Sequence, residues 1–324
     1  MTAAASGRSD WPEVVTVGET MALIRADEVG PLAQVSAARF GMGGAESNFA
    51  VALRRLGVSV AWVGRLGADS LGDKILRELA AEGIEAVATR DPVKPTGLMI
   101  KERRTAHNQR IWYYRDGNAG SRLERADVPE QHVAHARLLH VTGISLGLSD
   151  SASAAAQHAV DIARDNGTQV SFDLNYRSAL WSPDVAGEAF RELVRRADLV
   201  FAGDEEAAMA VGPADDPVDL AVRLCEFGPS AAIVKLGAEG CVARIDGRTY
   251  RRRAVPVQPV DTVGAGDGFV AGYVAEHLAG ADVESRLQTA VTVGAFACLV
   301  PGDWEGMPRR NELGLLAAAE PVSR

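Results

Sequence analysis

The chain has 324 residues, 47% of them hydrophobic and 24% charged, an ordinary globular composition with length enough for one large core. Its formal charge of −9 argues against nucleic acid or an anionic membrane as the main partner, although a small anionic substrate answers to local charge instead. No apolar run approaches the roughly 20 residues of a membrane-spanning helix. The three cysteines, Cys225, Cys241 and Cys298, are widely spaced and read as small buried hydrophobes of a reducing compartment.

Met1 to Pro12 is small and polar, lacks the apolar stretch of a secretory signal, and reads as a disordered tail ahead of one domain over 13–320. A cytoplasmic protein is expected. Val14 to Gly18 is a short apolar run closed by glycine, a buried-strand signal. Ala45 to Leu56 has helical apolar spacing ending at Gly57. Val60 to Val63 returns as strand, and Leu71 to Ala81 as helix. This alternation predicts a parallel sheet with helical crossovers.

The rhythm breaks at Gly97 to Ile100 and Arg110 to Tyr114, which read as two strands around the polar loop Arg103 to Gln109. A shorter candidate lies at Leu23 to Val35, so a small β-sheet attached to the main body is expected. The alternation then resumes. Strands are predicted at Leu138 to Val141, Val170 to Asp173, Leu199 to Phe201 and Ala232 to Lys235, and helices at Ser151 to Asn166, Val185 to Arg196 and Val218 to Phe227. Cys241 to Arg252 reads as a hairpin around Asp246-Gly247. Helices near Phe269 to Leu278 and Arg286 to Val300 close the chain. The six histidines show no metal-ligand spacing, and His132 and His135 have no third ligand beside them.

Asp261-Thr262-Val263-Gly264-Ala265-Gly266-Asp267 is a Gly-rich turn opening onto a helix. A helix start offers unpaired N–H groups and the positive end of the dipole, and glycines let an anion approach the backbone. A carboxylate there, Asp267, suits phosphoryl transfer, where something must accept the proton of the attacking hydroxyl. The plainer alternative is an Asp that caps the helix.

The same stretch resembles the C-terminal signature of the PfkB (ribokinase-like) sugar kinases. Gly43-Gly44-Ala45-Glu46-Ser47-Asn48-Phe49-Ala50 resembles their N-terminal signature, in the family's order. Ile111 to Arg115, His140 to Ile144, Phe172 to Arg177 and Gly302 to Pro308 are similar to 2-keto-3-deoxygluconate kinases within that family. The resemblance runs from about Val14 to Leu316. It implies an α/β, ribokinase-like three-layer sandwich with a mostly parallel central sheet. A β-sheet lid, from about 22–40 and 96–116, would cover the sugar and offer an edge for a homo-oligomer.

The resemblance also implies roles. Asp267 is the general base, with Gly264, Ala265 and Gly266 as the anion cradle. Gly43, Gly44, Asn48, Tyr113, Arg115, Ile144 and Arg177 face an acid sugar. The two arginines are suited to a carboxylate through paired N–H bonds. Lys235, Gly237 and Gly240, with Gly264 and Gly266 of the glycine turn, serve the nucleotide. ATP and Mg²⁺ are the implied co-substrate and ion. Glu206 would reach the magnesium through water, or simply start a helix, and Gly203 stands where the family carries Asn. Asp261 faces a monovalent cation, as in several ribokinase relatives, or fixes the turn. Val291 replaces an Asn near the adenine.

The expected activity is ATP-dependent phosphorylation of 2-keto-3-deoxy-D-gluconate at its terminal hydroxyl. A fructokinase-like activity is the nearest alternative. A non-catalytic sugar sensor is disfavoured by the intact Asp267 loop. A dinucleotide oxidoreductase is disfavoured because no G-x-G-x-x-G follows the first strand.

Overall fold

The computed structural model describes residues 11–105 and 108–317. The first part of the chain forms β1 (Val14–Val17), β2 (Met21–Ala26), β3 (Ala38–Gly43), α1 (Ala45–Arg55), β4 (Val60–Gly67), α2 (Ser70–Ala81), β5 (Glu85–Asp91), β6 (Leu98–Glu102) and β7 (Arg110–Tyr114). The middle forms α3 (Glu130–His135), β8 (Leu138–Thr142), α4 (Gly143–Leu148), α5 (Asp150–Asn166), β9 (Gln169–Asp173), α6 (Pro183–Val194), β10 (Leu199–Gly203), α7 (Asp204–Val211) and α8 (Pro217–Glu226). The last part forms β11 (Ala231–Lys235), β12 (Cys241–Ile245), β13 (Arg248–Arg252), α9 (Ala265–Leu278) and α10 (Val283–Ala297).

Nine strands make the main sheet, in the order β13-β12-β11-β10-β9-β8-β1-β4-β5. All neighbours pair parallel except around β12, which is antiparallel to both of its partners. Strand residues alternate between two cores, as the pleat requires. Val14, Val60, Trp62, Phe201 and Ile233 point to one face, under α1, α2, α9 and α10. Val15, Val17, Ala61, Phe172 and Val200 point to the other, under α5, α6, α7 and α8. The expected three-layer α/β sandwich is therefore present.

A second sheet of four strands has the order β3-β2-β6-β7. The two strands expected between Gly97 and Tyr114 are β6 and β7, paired antiparallel. Residues 106–107 of their connection, and with them His107, lie outside the described chain. The candidate at Leu23 to Val35 is corrected. Only its start is strand, within β2; after Gly30 the chain turns through a 3₁₀ segment, Leu32–Gln34, behind Pro31. The missing partner is β3, which pairs antiparallel with β2 and runs directly into Gly43-Gly44. Its glycines and arginine hid the strand pattern. β5 and the short helices α3 and α4 also escaped the sequence reading, whereas the helix start read at Glu206 is that of α7. The tail expected over 1–12 lies mostly outside the described residues, but Pro12 is buried and Trp11 stacks on His135 at 5.0 Å.

α9 is buried on nearly every side, and its glycines bring it close to α10. A Cβ on Gly272 would stand 2.9 Å from the Thr289 carbonyl oxygen. α10 begins earlier than expected because Asp282 caps it, accepting from Ser285 N at 2.8 Å. Asp246 (φ 47°) and Gly247 (φ 76°) form the predicted hairpin turn.

The entry to β6 is moored at one carboxylate. Asp69 caps α2 by accepting from Gly72 N at 2.8 Å, and it also accepts from Thr96 N and Thr96 Oγ1, each at 2.8 Å. Thr96 leads into β6. Asp69→Ala should therefore cost about 2 kcal/mol, combining a lost cap with stranded donors at the root of β6. Thermal unfolding would read this as a lowered Tm, and an unchanged Tm would show that the root of β6 does not depend on Asp69.

Candidate active site

Strands are added to one side of β1 through β4 and β5 and to the other through β8 to β11, so the strand order switches between β8 and β1, and open α/β sheets bind ligands beyond the strand ends at such a point. There lies a cleft of about 420 Å³. Its floor comes from the carboxyl ends of β1, β8, β9, β10 and β11, through Glu19, Ile144, Asp173, Gly203 and Lys235. Its roof is the small sheet, through Met21, Met99, Ile111 and Tyr113.

α9 aims its first turn into this cleft. Gly264 precedes the helix with φ of 79°, a conformation that favours glycine. A Cβ there would also overlap the Asp303 carbonyl oxygen. Asp267 follows in the first turn and is 9% exposed. Asn48 Nδ2, from the first turn of α1, donates to its Oδ2 at 2.8 Å, and Asn175 Nδ2 donates to Oδ1 at 3.3 Å. Burial pushes the Asp267 pKa up to about 6, although the Asn48 amide and the charges of Arg177 and Lys235 pull it down. A carboxylate tuned in this way is ionised at neutral pH and still basic enough to take a proton.

A second cavity of about 520 Å³ adjoins the first, and the two share Lys235, Thr262 and Gly266. It is apolar, walled by Val255, Val257, Phe269 and Val291. The loop of Gly237 and Gly240 lines it, and both glycines adopt positive φ, 55° and 103°. Lys235 stands where the cavities meet. Its Nζ donates to Asp173 Oδ1 at 2.7 Å and Oδ2 at 2.8 Å, and it lies 3.6 Å from where a Cβ of Gly266 would be. Burial alone would lower its pKa, but the Asp173 and Glu206 carboxylates outweigh that and keep it an ammonium.

Glu206 lines the cleft, and its carboxylate is already engaged. Oε1 accepts from Tyr176 N at 2.9 Å and Oε2 from Gly203 N at 2.6 Å, the helix-start role for α7. Among the described residues no three His, Cys, Asp or Glu side chains converge on a metal site. A magnesium ion that keeps most of its waters and arrives with phosphate would need little protein ligation, and Glu206 is the carboxylate that would reach it through a water. His140, also buried, is pushed down to about 3 by burial and packs as a neutral ring on Phe49.

Toward the small sheet, Gly44 lies so close to the Glu19 backbone that a Cβ would overlap its carbonyl oxygen, and Gly43 is tight against the Asp303 carboxylate. Gly44, Asn48, Tyr113, Arg115, Ile144 and Arg177 all line the cleft; Gly43 is not among its lining residues. Tyr113 places its ring 5.5 Å from the Arg115 guanidinium. Arg115 is ion-paired with Glu19, which also accepts from Asn118 Nδ2 at 2.6 Å. Arg177 is exposed and bonds only locally, Nη1 to the Tyr176 carbonyl at 2.9 Å. Asp261 fixes the turn: Oδ1 accepts from Val263 N at 3.1 Å, and Oδ2 accepts from Gly302 N at 3.1 Å. Instead of opening onto solvent, that Oδ2 also receives the Lys101 ammonium at 2.7 Å.

Several of these groups escaped the sequence reading. Asp173 and Asn175 sit within the stretch that supplied Arg177, and the Asn175 φ of 40° explains why a small polar residue stands there. Glu19 and Lys101 carried no signal, because an isolated charge beside an apolar run ordinarily faces water.

Comparison with known proteins points to one family. The chain is 36% identical over 313 residues to the 2-dehydro-3-deoxygluconokinase of Bacillus subtilis (strain 168), covering 95% of this chain and 96% of that protein. It is 33% identical over 304 residues to the 2-dehydro-3-deoxygluconokinase of Thermoproteus tenax, covering 92% of each. The crystal structure of a PfkB protein from Polaromonas sp. JS666 superposes with a TM-score of 0.85 at 36% identity, covering 94% of this chain and 99% of that one. The pattern of the pfkB family matches residues 12–310, which include both glycine motifs, both sheets and Asp267 in the polar cleft. With the motifs, the fold and the match in agreement, the chain belongs to the pfkB family of carbohydrate kinases.

Proposed function

We propose that the protein transfers the γ-phosphoryl group of ATP to the terminal hydroxyl of 2-keto-3-deoxy-D-gluconate, giving the 6-phosphate and ADP. The observation that carries this reading is the meeting of a polar and an apolar cavity at the first turn of α9, with Asp267 on the polar side. The polar cavity takes the acid sugar and the apolar one takes the adenine, held by shape along Val291. The names of the two curated relatives support the choice of substrate.

Asp267 accepts the hydroxyl proton as the sugar oxygen bonds to phosphorus and the bond from phosphorus to the ADP oxygen breaks. The backbone amides of Gly264 to Asp267 and the Lys235 ammonium face the charge that gathers on the transferring group. Magnesium, carried on the phosphates, supplies further neutralisation of that charge. Asn48 orients Asp267 through Nδ2, and its buried Oδ1, without a protein partner among the described residues, is free to accept from a sugar hydroxyl. Arg177 and Arg115 receive the substrate carboxylate. A neutral ketose would leave them without it, which separates this reading from a fructokinase.

Asp267→Asn should lower kcat by roughly 10²–10⁴-fold, the ordinary worth of a positioned base, while sugar binding persists. A variant that keeps most of its kcat would remove Asp267 from the proton path. In the wild type kcat/KM should fall as pH drops through about 6, because the base is lost to protonation, and the Asn variant should lack that limb. The sign for stability is opposite. A folded-state pKa raised by burial means that ionising Asp267 costs folding free energy as pH rises past the ordinary carboxylate range. At slightly alkaline pH the Asn variant should therefore melt no lower than the wild type.

Arg177→Ala should raise KM for the ketodeoxy acid about 10–100-fold, the loss of one charge-assisted pair of about 1.5–3 kcal/mol. Any residual activity on neutral ketoses should change little. Equal losses on acid and neutral sugars in a steady-state substrate panel would refute the carboxylate assignment.

A further inference from the structure

Lys101 is the one lysine of β6, in the small sheet, and only 2% of it is exposed. Its Nζ lies between two buried carboxylates, 2.7 Å from Asp261 Oδ2 and 2.8 Å from Asp303 Oδ1, and 3.4 Å from the Gly302 carbonyl oxygen. Burial would strip its proton, but Asp303 and Asp261 outweigh that and hold its pKa above the ordinary lysine value. Leaving two carboxylates facing each other there without a cation would be strongly unfavourable.

Each partner leads to the anion cradle. Asp261 fixes the turn into α9 through Val263 N. The Asp303 carbonyl stands against Gly264, whose backbone has no room for a side chain on that side. The Asp303 carboxylate stands equally close to Gly43, at the end of β3. One ammonium thus joins the small sheet, the turn before α9 and the segment after α10, none of which is otherwise contiguous in sequence.

We propose that the Lys101 ammonium is a resident monovalent cation that positions the Gly264–Asp267 cradle, so that turnover needs no free monovalent ion. Lys101 touches neither sugar nor phosphate; it is a positioning residue acting through Asp261 and Asp303. The inference rests on the kinase reading above and concerns the cradle of that same site. Any bound ion here would have to displace the ammonium from both carboxylates at once.

The test uses the full chain in buffers whose only cations are magnesium and a bulky organic amine. Wild-type kcat should be the same with and without added potassium or ammonium chloride. Lys101→Ala should lose about 100-fold in kcat, the scale of a roughly 1 Å misplacement at the reacting centre, with KM for the sugar near the wild-type value. Added ammonium, potassium or propylammonium should restore most of that loss by entering the vacated space. Lys101→Met, which fills the space with an apolar chain, should lose turnover and gain nothing from added ions. A merely structural lysine would not yield this ion dependence. Clear activation of the wild type by potassium would overturn the proposal, even if no variant folds. So would a Lys101→Ala enzyme with near-normal kcat, or one that folds and binds ATP yet responds to no cation. If the wild type phosphorylates no ketodeoxy acid, the substrate reading fails instead, and the ion comparison is made on whichever sugar it does turn over.

Discussion

A carboxylate held out of water at the positive end of a buried helix is the constraint around which this molecule is arranged. Asp267 is the one carboxylate among the buried residues of α9, which are otherwise apolar or glycine. Burial raises its pKa to about 6 and makes it a usable base, but the same burial works against folding. The structure offsets that cost with directed hydrogen bonds rather than with a salt bridge. Asn48 and Asn175 each donate one amide to it, and both are neutral. A cation in direct contact would have kept the carboxylate ionised and robbed it of basicity. The nearby ammonium of Lys235 is instead held by Asp173.

Those two asparagines explain the packing around the site. Asn48 lies in the first turn of α1, so α1 must pack on α9 at a fixed depth, and the buried Phe49, Ala50 and Leu53 set that depth from within the shared core. Asn175 sits just past β9 in a left-handed conformation, which turns its amide back toward the end of α9. Glu206 holds the same turn through Tyr176 N. The glycines at 264 and 272 permit the close approaches that bring these pieces together. Catalytic geometry here is thus a consequence of helix packing, and large-to-small changes in that core would act on turnover as well as stability.

Much of this was legible in the sequence wherever the physics is local. A glycine turn opening onto a helix, an alternating strand or a D-G hairpin each leaves a short pattern, and the Asp267 loop, β6, β7 and the β12–β13 hairpin were read from such patterns. β3 was not, because Arg39, Gly41 and Gly43 interrupt its alternation while β2 supplies the pairing from across the sheet. Asp261 was read as facing an ion or fixing a turn, and its turn role is present. What faces it, however, is Lys101, from a strand far away in sequence. No local pattern can announce that a lysine is buried, since the evidence for it is the two carboxylates that meet it only after folding. The same holds for Glu19 and Arg115: the arginine was visible and its partner was not.

That last pair bears on how an acid sugar would be held. Arg115 already faces a carboxylate, Glu19, whereas Arg177 has only a backbone carbonyl. When a substrate carboxylate reaches Arg115 it replaces one charge-assisted bond by another of similar strength, so the net gain there is small. Arg177 exchanges water and a neutral acceptor for a carboxylate, and a charge-assisted bond of about 1.5–3 kcal/mol is gained with less to give up. On the proposed reading, affinity for the acid group therefore resides mainly in Arg177, in the exposed segment that follows β9. Arg115 would contribute orientation instead, because it follows β7 and its guanidinium is already fixed on Glu19. Glu19 keeps the Arg115 charge paired within the protein, which spares the cleft a bare guanidinium.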